Sequence, residues 1–187
     1  MSGEKRAAKS PIQAKTGGGS SGSSSGGRPP PHIVFHSQYI KDVSFENPNP
    51  PSAVEKKTGT PNITVNCAVS SKPVDGKSHH YEISLMLSAT AKREEKTMFI
   101  AEITYGGVMS VEGDIDEKNI HPLVMIEGPR HLFPFARMLM SSIIREGGFV
   151  PLNIQPIDFV RLYQARMKHM QDQAVKTARE KKNGKAG

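Results

Sequence analysis

Apolar and polar residues alternate through four stretches between positions 39 and 111, and this alternation constrains the fold more than any other feature. A period of two is the signature of a half-buried strand, because successive side chains leave opposite faces of the pleat. In Tyr39-Ile-Lys-Asp-Val-Ser-Phe-Glu46, Tyr39, Val43 and Phe45 share one parity and Asp42, Ser44 and Glu46 the other. Asn47-Pro-Asn-Pro-Pro51 then ends the strand, since proline cannot donate to a ladder. A second strand spans Ile63 to Val69, apolar at 63, 65, 67 and 69. A third sets Tyr81, Ile83, Leu85, Leu87 and Ala89 against Glu82, Ser84, Ser88 and Thr90. The charged run Lys92-Arg-Glu-Glu-Lys96 connects it to a fourth over 97–105, with Phe99, Ala101, Ile103 and Tyr105 inward and Glu102 and Thr104 outward. Gly106-Gly107 marks a bulge or a close backbone approach, after which the strand resumes as Val108 to Val111.

Beyond Glu112-Gly-Asp114 the period changes. Phe135, Ala136, Leu139, Met140 and Ile143 follow helical spacing, with Pro134 in the first turn and Gly147-Gly148 as the stop. Met138 and Ile144 widen this stripe, so the helix is expected to be buried on more than one side. A second helix is expected after Asp158 as N-cap, with Ile157 and Leu162 as a hydrophobic staple and an apolar stripe of Phe159, Leu162, Tyr163, Met167 and Met170. Strands followed by helices make an α+β fold, a four-stranded antiparallel sheet with helices packed on one face. Such a sheet leaves its other face to solvent, and that face carries Asp42, Glu46, Glu82 and Glu102. One sheet and one long helix bury little, so oligomerisation is expected to supply further burial.

The 187 residues carry a net charge of +7, which invites a nucleic-acid or anionic-membrane reading. Divided by region, residues 1–31 carry +4, residues 164–187 carry +5, and residues 32–163 carry −2. The basicity belongs to the ends. Three units follow: a Gly/Ser/Pro-rich basic arm over 1–32, expected to be disordered; a folded domain over 33–170; and a flexible basic tail over 171–187. No apolar run approaches the ~18–20 residues of a membrane span, so membrane insertion is not expected and a cytoplasmic protein is.

No catalytic constellation emerges. Gly76-Lys77-Ser78 lacks the glycine a phosphate loop requires five positions earlier, where Ser71 stands. The seven histidines show no zinc spacing, and neither a metal nor a cofactor is expected. Cys67 reads as a small buried hydrophobe. The chain is not expected to be an enzyme.

The stretch Tyr39-Ile-Lys-Asp-Val-Ser-Phe-Glu-Asn-Pro closely resembles the opening signature of the bacterial protein-export chaperone family SecB. The resemblance continues through Phe99-Ile-Ala-Glu-Ile-Thr-Tyr-Gly-Gly-Val-Met-Ser-Val, Leu132-Phe-Pro-Phe-Ala-Arg137, Arg145-Glu-Gly-Gly-Phe149 and Pro151-Leu-Asn-Ile-Gln-Pro-Ile-Asp-Phe159. It implies an ATP-independent holdase that keeps secretory precursors unfolded in the cytosol and delivers them to the SecA translocation ATPase. It implies a homotetramer, a dimer of dimers, with grooves for unfolded precursor proteins. The family's SecA-docking residues fall on Asp42, Glu46, Ile100 and Glu102, and candidate groove residues are Phe99, Ala101, Ile103, Tyr105 and Tyr163. The family is generally acidic with a C-terminal tail that also contacts SecA; the basic tail here departs from that pattern. The competing reading is a nucleic-acid-associated small α+β protein binding through its basic tails. The acidic folded domain, without an aromatic-studded basic strand face, argues against it.

Overall fold

The structure, a computed structural model, describes residues 30–51, 54 and 60–183. Most of the basic arm, through position 29, and residues 184–187 of the tail lie outside the described residues. Four strands are followed by two helices: β1 (His32–Glu46), β2 (Asn62–Pro73), β3 (His80–Arg93), β4 (Lys96–Glu112), α1 (Glu117–Glu146) and α2 (Phe159–Asn183). The sheet order is β1-β4-β3-β2, and every pair is antiparallel. The expected α+β architecture is therefore present, with β3 and β4 central and β1 and β2 as edges.

The inward parity of β3 and β4 forms the floor of the core. Ile83, Leu85, Leu87, Ala89, Ala101 and Ile103 are fully shielded, and Phe99 nearly so. Helix α1 covers them. Its buried positions recur every four residues through Ile120, Val124, Gly128, Leu132, Ala136, Met140 and Ile144. A ridge of i±4 positions is the regular way a helix presents one surface to a neighbour. The helix thus begins 17 residues before the Pro134 start expected from the sequence. Pro122, Pro129 and Pro134 all lie inside it, although each interior proline removes a hydrogen bond at a cost of about 3 kcal/mol. Burial of the surrounding apolar stripe offsets that cost, which local propensity does not register. Helix α2 starts as expected: the Asp158 carboxylate accepts the Arg161 backbone N–H at 3.0 Å. It continues through residue 183, beyond the Met170 boundary of the sequence reading.

Strand β4 runs unbroken through Gly106 and Gly107, and both glycines serve close approaches. A Cβ on Gly106 would stand 2.9 Å from the side chains of Tyr39 and Lys41 on the outer face. One on Gly107 would stand 3.0 Å from Leu132 and 3.1 Å from Phe35 on the inner face. Two bulges lie opposite, in β1, where the pairing skips His36 between Phe35↔Met109 and Ser37↔Val108 and Lys41 between Ile40↔Tyr105 and Asp42↔Thr104. An extra residue reverses parity. Tyr39 consequently pairs with Gly106 and lies on the outer face, not inward with Val43 and Phe45 as the alternation predicts.

From there Tyr39 and Lys41 cross β4 to Glu82 on β3. The Tyr39 hydroxyl donates to Oε1 at 2.7 Å, and Lys41 Nζ lies 2.9 Å from the same oxygen. Lys72 Nζ, on β2, reaches Oε2 at 2.8 Å. Glu82 is therefore 9% exposed and ion-paired, not one of the solvated carboxylates of the outer face. At the other end of β1, Phe45 packs inward with Phe99 (6.0 Å between ring centroids) and Phe149 (6.2 Å).

Two outcomes follow from this packing. A Cβ at Gly147 would stand 2.1 Å from the Phe45 ring, so Gly147→Ala should cost about 1–3 kcal/mol in denaturant unfolding. Lys72, Tyr39 and Lys41 hold the Glu82 carboxyl down at about 2 against its ordinary 4.5. A lowered folded-state value stabilises fully above the unfolded one and fades as pH falls through the folded one. Glu82→Gln should therefore lower stability by about 1–2 kcal/mol at pH 7, with the gap to wild type narrowing as the pH falls from 4.5 toward 2. A gap independent of pH would contradict the ion-pair account.

Candidate functional site

The outer face of the sheet divides into two electrostatic zones. Beside the buried Glu82 cluster, the carboxylates of Asp42, Glu46 and Glu102 are exposed. None of the three has an ion pair or hydrogen-bond partner among the described residues. The register brings them together from two strands: Asp42 faces Thr104, Ser44 faces Glu102, and Glu46 faces Ile100. Ile100, half-buried, sits between the carboxylates as an apolar contact. Exposed like charges on neighbouring strands repel mildly, so this zone gains nothing from folding alone. Its natural complement is a basic surface.

A second feature lies where α2 approaches the free edge of β2. A cleft of about 500 Å³ opens there, lined by Cys67, Val69, Met86, Met125, Leu162 and Tyr163 among others. A smaller one of about 210 Å³ shares Met125 and Tyr163 and adds Met167 and Met170. Arg166 of α2 donates to the Val69 backbone carbonyl, tying the helix to the strand edge. The Tyr163 hydroxyl lies 3.1 Å from His121 Nδ1 on α1, which holds its ring at the cleft wall. Two adjoining clefts that share Met125 and Tyr163 and are lined by Met86, Met167 and Met170 as well give an apolar surface able to repack around different contents. On the inward parity of β2, Ile63 and Val65 stay 38% and 37% exposed, so the apolar surface continues along that strand.

The five groove candidates do not share one place. Tyr163 stands in the cleft. Phe99, Ala101 and Ile103 belong to the core, 3%, 0% and 0% exposed. Tyr105 is half-buried and stacks on Phe135 of α1, ring centroids 6.2 Å apart. The sequence reading missed Met125 and Met86 as cleft residues. Only the methionine stripe of α2 gave a signal, because the cleft is built by elements distant in sequence. Burial pushes the Cys67 thiol up to about 11, which keeps it protonated and unreactive. No group of His, Cys, Asp or Glu among the described residues is placed to hold a metal ion. No helix among them is long and apolar enough to cross a membrane.

The family model described as preprotein translocase subunit SecB matches residues 27–170. Protein-export protein SecB of Granulibacter bethesdensis is 41% identical over 152 residues, 78% of this chain and 88% of its own length. Its counterpart from Bartonella quintana is 44% identical over 131 residues, 70% of this chain and 81% of its own. Among solved structures, the SecB-like chaperone Rv1957 of Mycobacterium tuberculosis, in complex with a ChAD peptide from the HigA1 antitoxin Rv1956, is 12% identical. It aligns with a TM-score of 0.49 over 67% of this chain and 87% of that one, a likeness too distant to bear on any site. The match spans both the acidic face and the cleft, and this chain belongs to the SecB family: it is a protein-export chaperone and not an enzyme.

Proposed function

We propose that the chain binds unfolded precursor proteins in the cytoplasm without ATP and delivers them to SecA, working as a homotetramer built as a dimer of dimers. The observation that carries this reading is that one sheet carries both an acidic patch without ion-pair partners and a methionine-lined apolar cleft, the cleft reaching as far as Met86 and Thr104 beside Asp42. Two surfaces of opposite character let one molecule hold a client and meet a basic partner simultaneously. In the cleft, soft side chains and the adjacent strand edge favour extended, apolar segments over any one sequence. Tyr163 contacts the client there, and Tyr105 offers a second aromatic surface against Phe135. Phe99, Ala101 and Ile103 act as the rigid floor beneath them. On the outer face, Asp42, Glu46 and Glu102 pair with basic groups of SecA around Ile100.

The tetramer is supported by an exposed apolar flank of α1. Phe135 and Met138 are 44% and 63% exposed there, large apolar side chains that a single protomer leaves in water. A second copy presenting the same stripe would cover both in a two-fold arrangement.

The reading is tested by mixing an unfolded precursor with stoichiometric tetramer and following aggregation, then adding SecA. Protection and handover are expected; no protection would sink the proposal. Asp42→Arg with Glu102→Arg should weaken SecA binding at least tenfold while client protection persists. Phe135→Glu with Met138→Glu should shift the protein to smaller species in sedimentation, while its circular dichroism stays native.

A further inference from the structure

Among the described residues, Glu82 is the only charged residue that is buried, and it lies on the sheet face that α1 does not cover. It holds a lysine and a tyrosine from β1, across β4, and a second lysine from β2. The docking carboxylates nearby hold none. Burying one carboxylate under three partners while leaving three bare calls for a reason beyond stability.

Lys41 supplies it. The bulge brings Lys41 and Asp42, consecutive in sequence, to the same outer face, where a regular strand would send them to opposite sides. An ammonium beside Asp42 would pair with that carboxylate. Lys41 instead lays its stem over Gly106 and places Nζ 2.9 Å from Glu82 and 3.0 Å from the Ser84 hydroxyl. Without a side chain at position 106, nothing blocks that crossing. Lys72 completes the carboxylate's other oxygen from β2.

We propose that Glu82 is a positioning residue for the docking face: by holding the Lys41 ammonium across Gly106, it keeps Asp42 unpaired and available to a basic partner. This rests on the SecA-docking reading above and names the group that keeps that face acidic. With Glu82 neutral, Lys41 is released, swings to Asp42 and quenches it. Loss of the Lys41 charge removes the quencher.

The test measures SecA affinity at low salt for wild type, Asp42→Asn, Glu82→Gln, Lys41→Met and the Glu82→Gln/Lys41→Met pair, with client protection followed in each. Gln retains an acceptor for Tyr39, and Met retains a stem over Gly106. Glu82→Gln should weaken SecA binding roughly threefold to tenfold. Adding Lys41→Met should restore wild-type affinity, a rescue that a purely structural role would not produce. Lys41→Met alone should bind SecA at least as tightly as wild type, a result that does not depend on how well Glu82→Gln folds. The inference is overturned if the pair stays as weak as Glu82→Gln, if Glu82→Gln has no effect while Asp42→Asn weakens binding, or if Lys41→Met binds more weakly. If Asp42→Asn itself has no effect, the docking reading fails instead, and the inference with it.

Discussion

The close approach of side chains to both faces of β4 at Gly106 and Gly107 is the constraint on which the rest of the sheet depends. On the inner face Leu132 of α1 and Phe35 of β1 meet over Gly107; on the outer face Tyr39 and Lys41 cross Gly106 to reach Glu82. A central strand normally keeps its neighbours apart by the thickness of its own side chains. Two consecutive residues without side chains remove that spacing on both faces at one level. Helix α1 can then sit close to the sheet, and β1 can bond to β3 across the strand between them.

Strand β1 answers to two sets of partners. Its C-terminal half is oriented by Phe45, packed inward against Phe99 and Phe149 beneath the turn at Gly147. Its middle is oriented by Tyr39 and Lys41, bonded outward to Glu82. Those demands have opposite parity, and the extra residue at Lys41 reconciles them. Asp42 stands at the joint, which is why a buried ion pair and an exposed carboxylate are neighbours. The acidity of the face is thus a matter of which carboxylates are paired as much as how many there are.

The alternation in β3 and β4 was legible because both strands are covered on one face along their length, so their burial follows parity directly. It misled at Tyr39, where parity counted along the chain cannot register a bulge set by contacts with another strand. It also misled at Glu82, whose outward parity is real but whose partners come from β1 and β2. The first half of α1 was hidden for a different reason. Pro122, Gly128 and Pro129 read locally as breakers, yet the sheet beneath Gly128 and Pro129 stabilises the helix they interrupt.

By itself, then, the sequence determined the four strands, which side of each central strand is apolar, the cap that starts α2 and the family to which the chain belongs. These are properties of near neighbours along the chain and of motifs read in order. The tertiary structure alone decided that α1 reaches back to Glu117, that the methionines of α1, α2 and β3 line two adjoining clefts, and that Lys41 turns to Glu82 and leaves Asp42 bare. Each of those outcomes depends on a partner tens of residues away, whose position is set only when the sheet and helices pack.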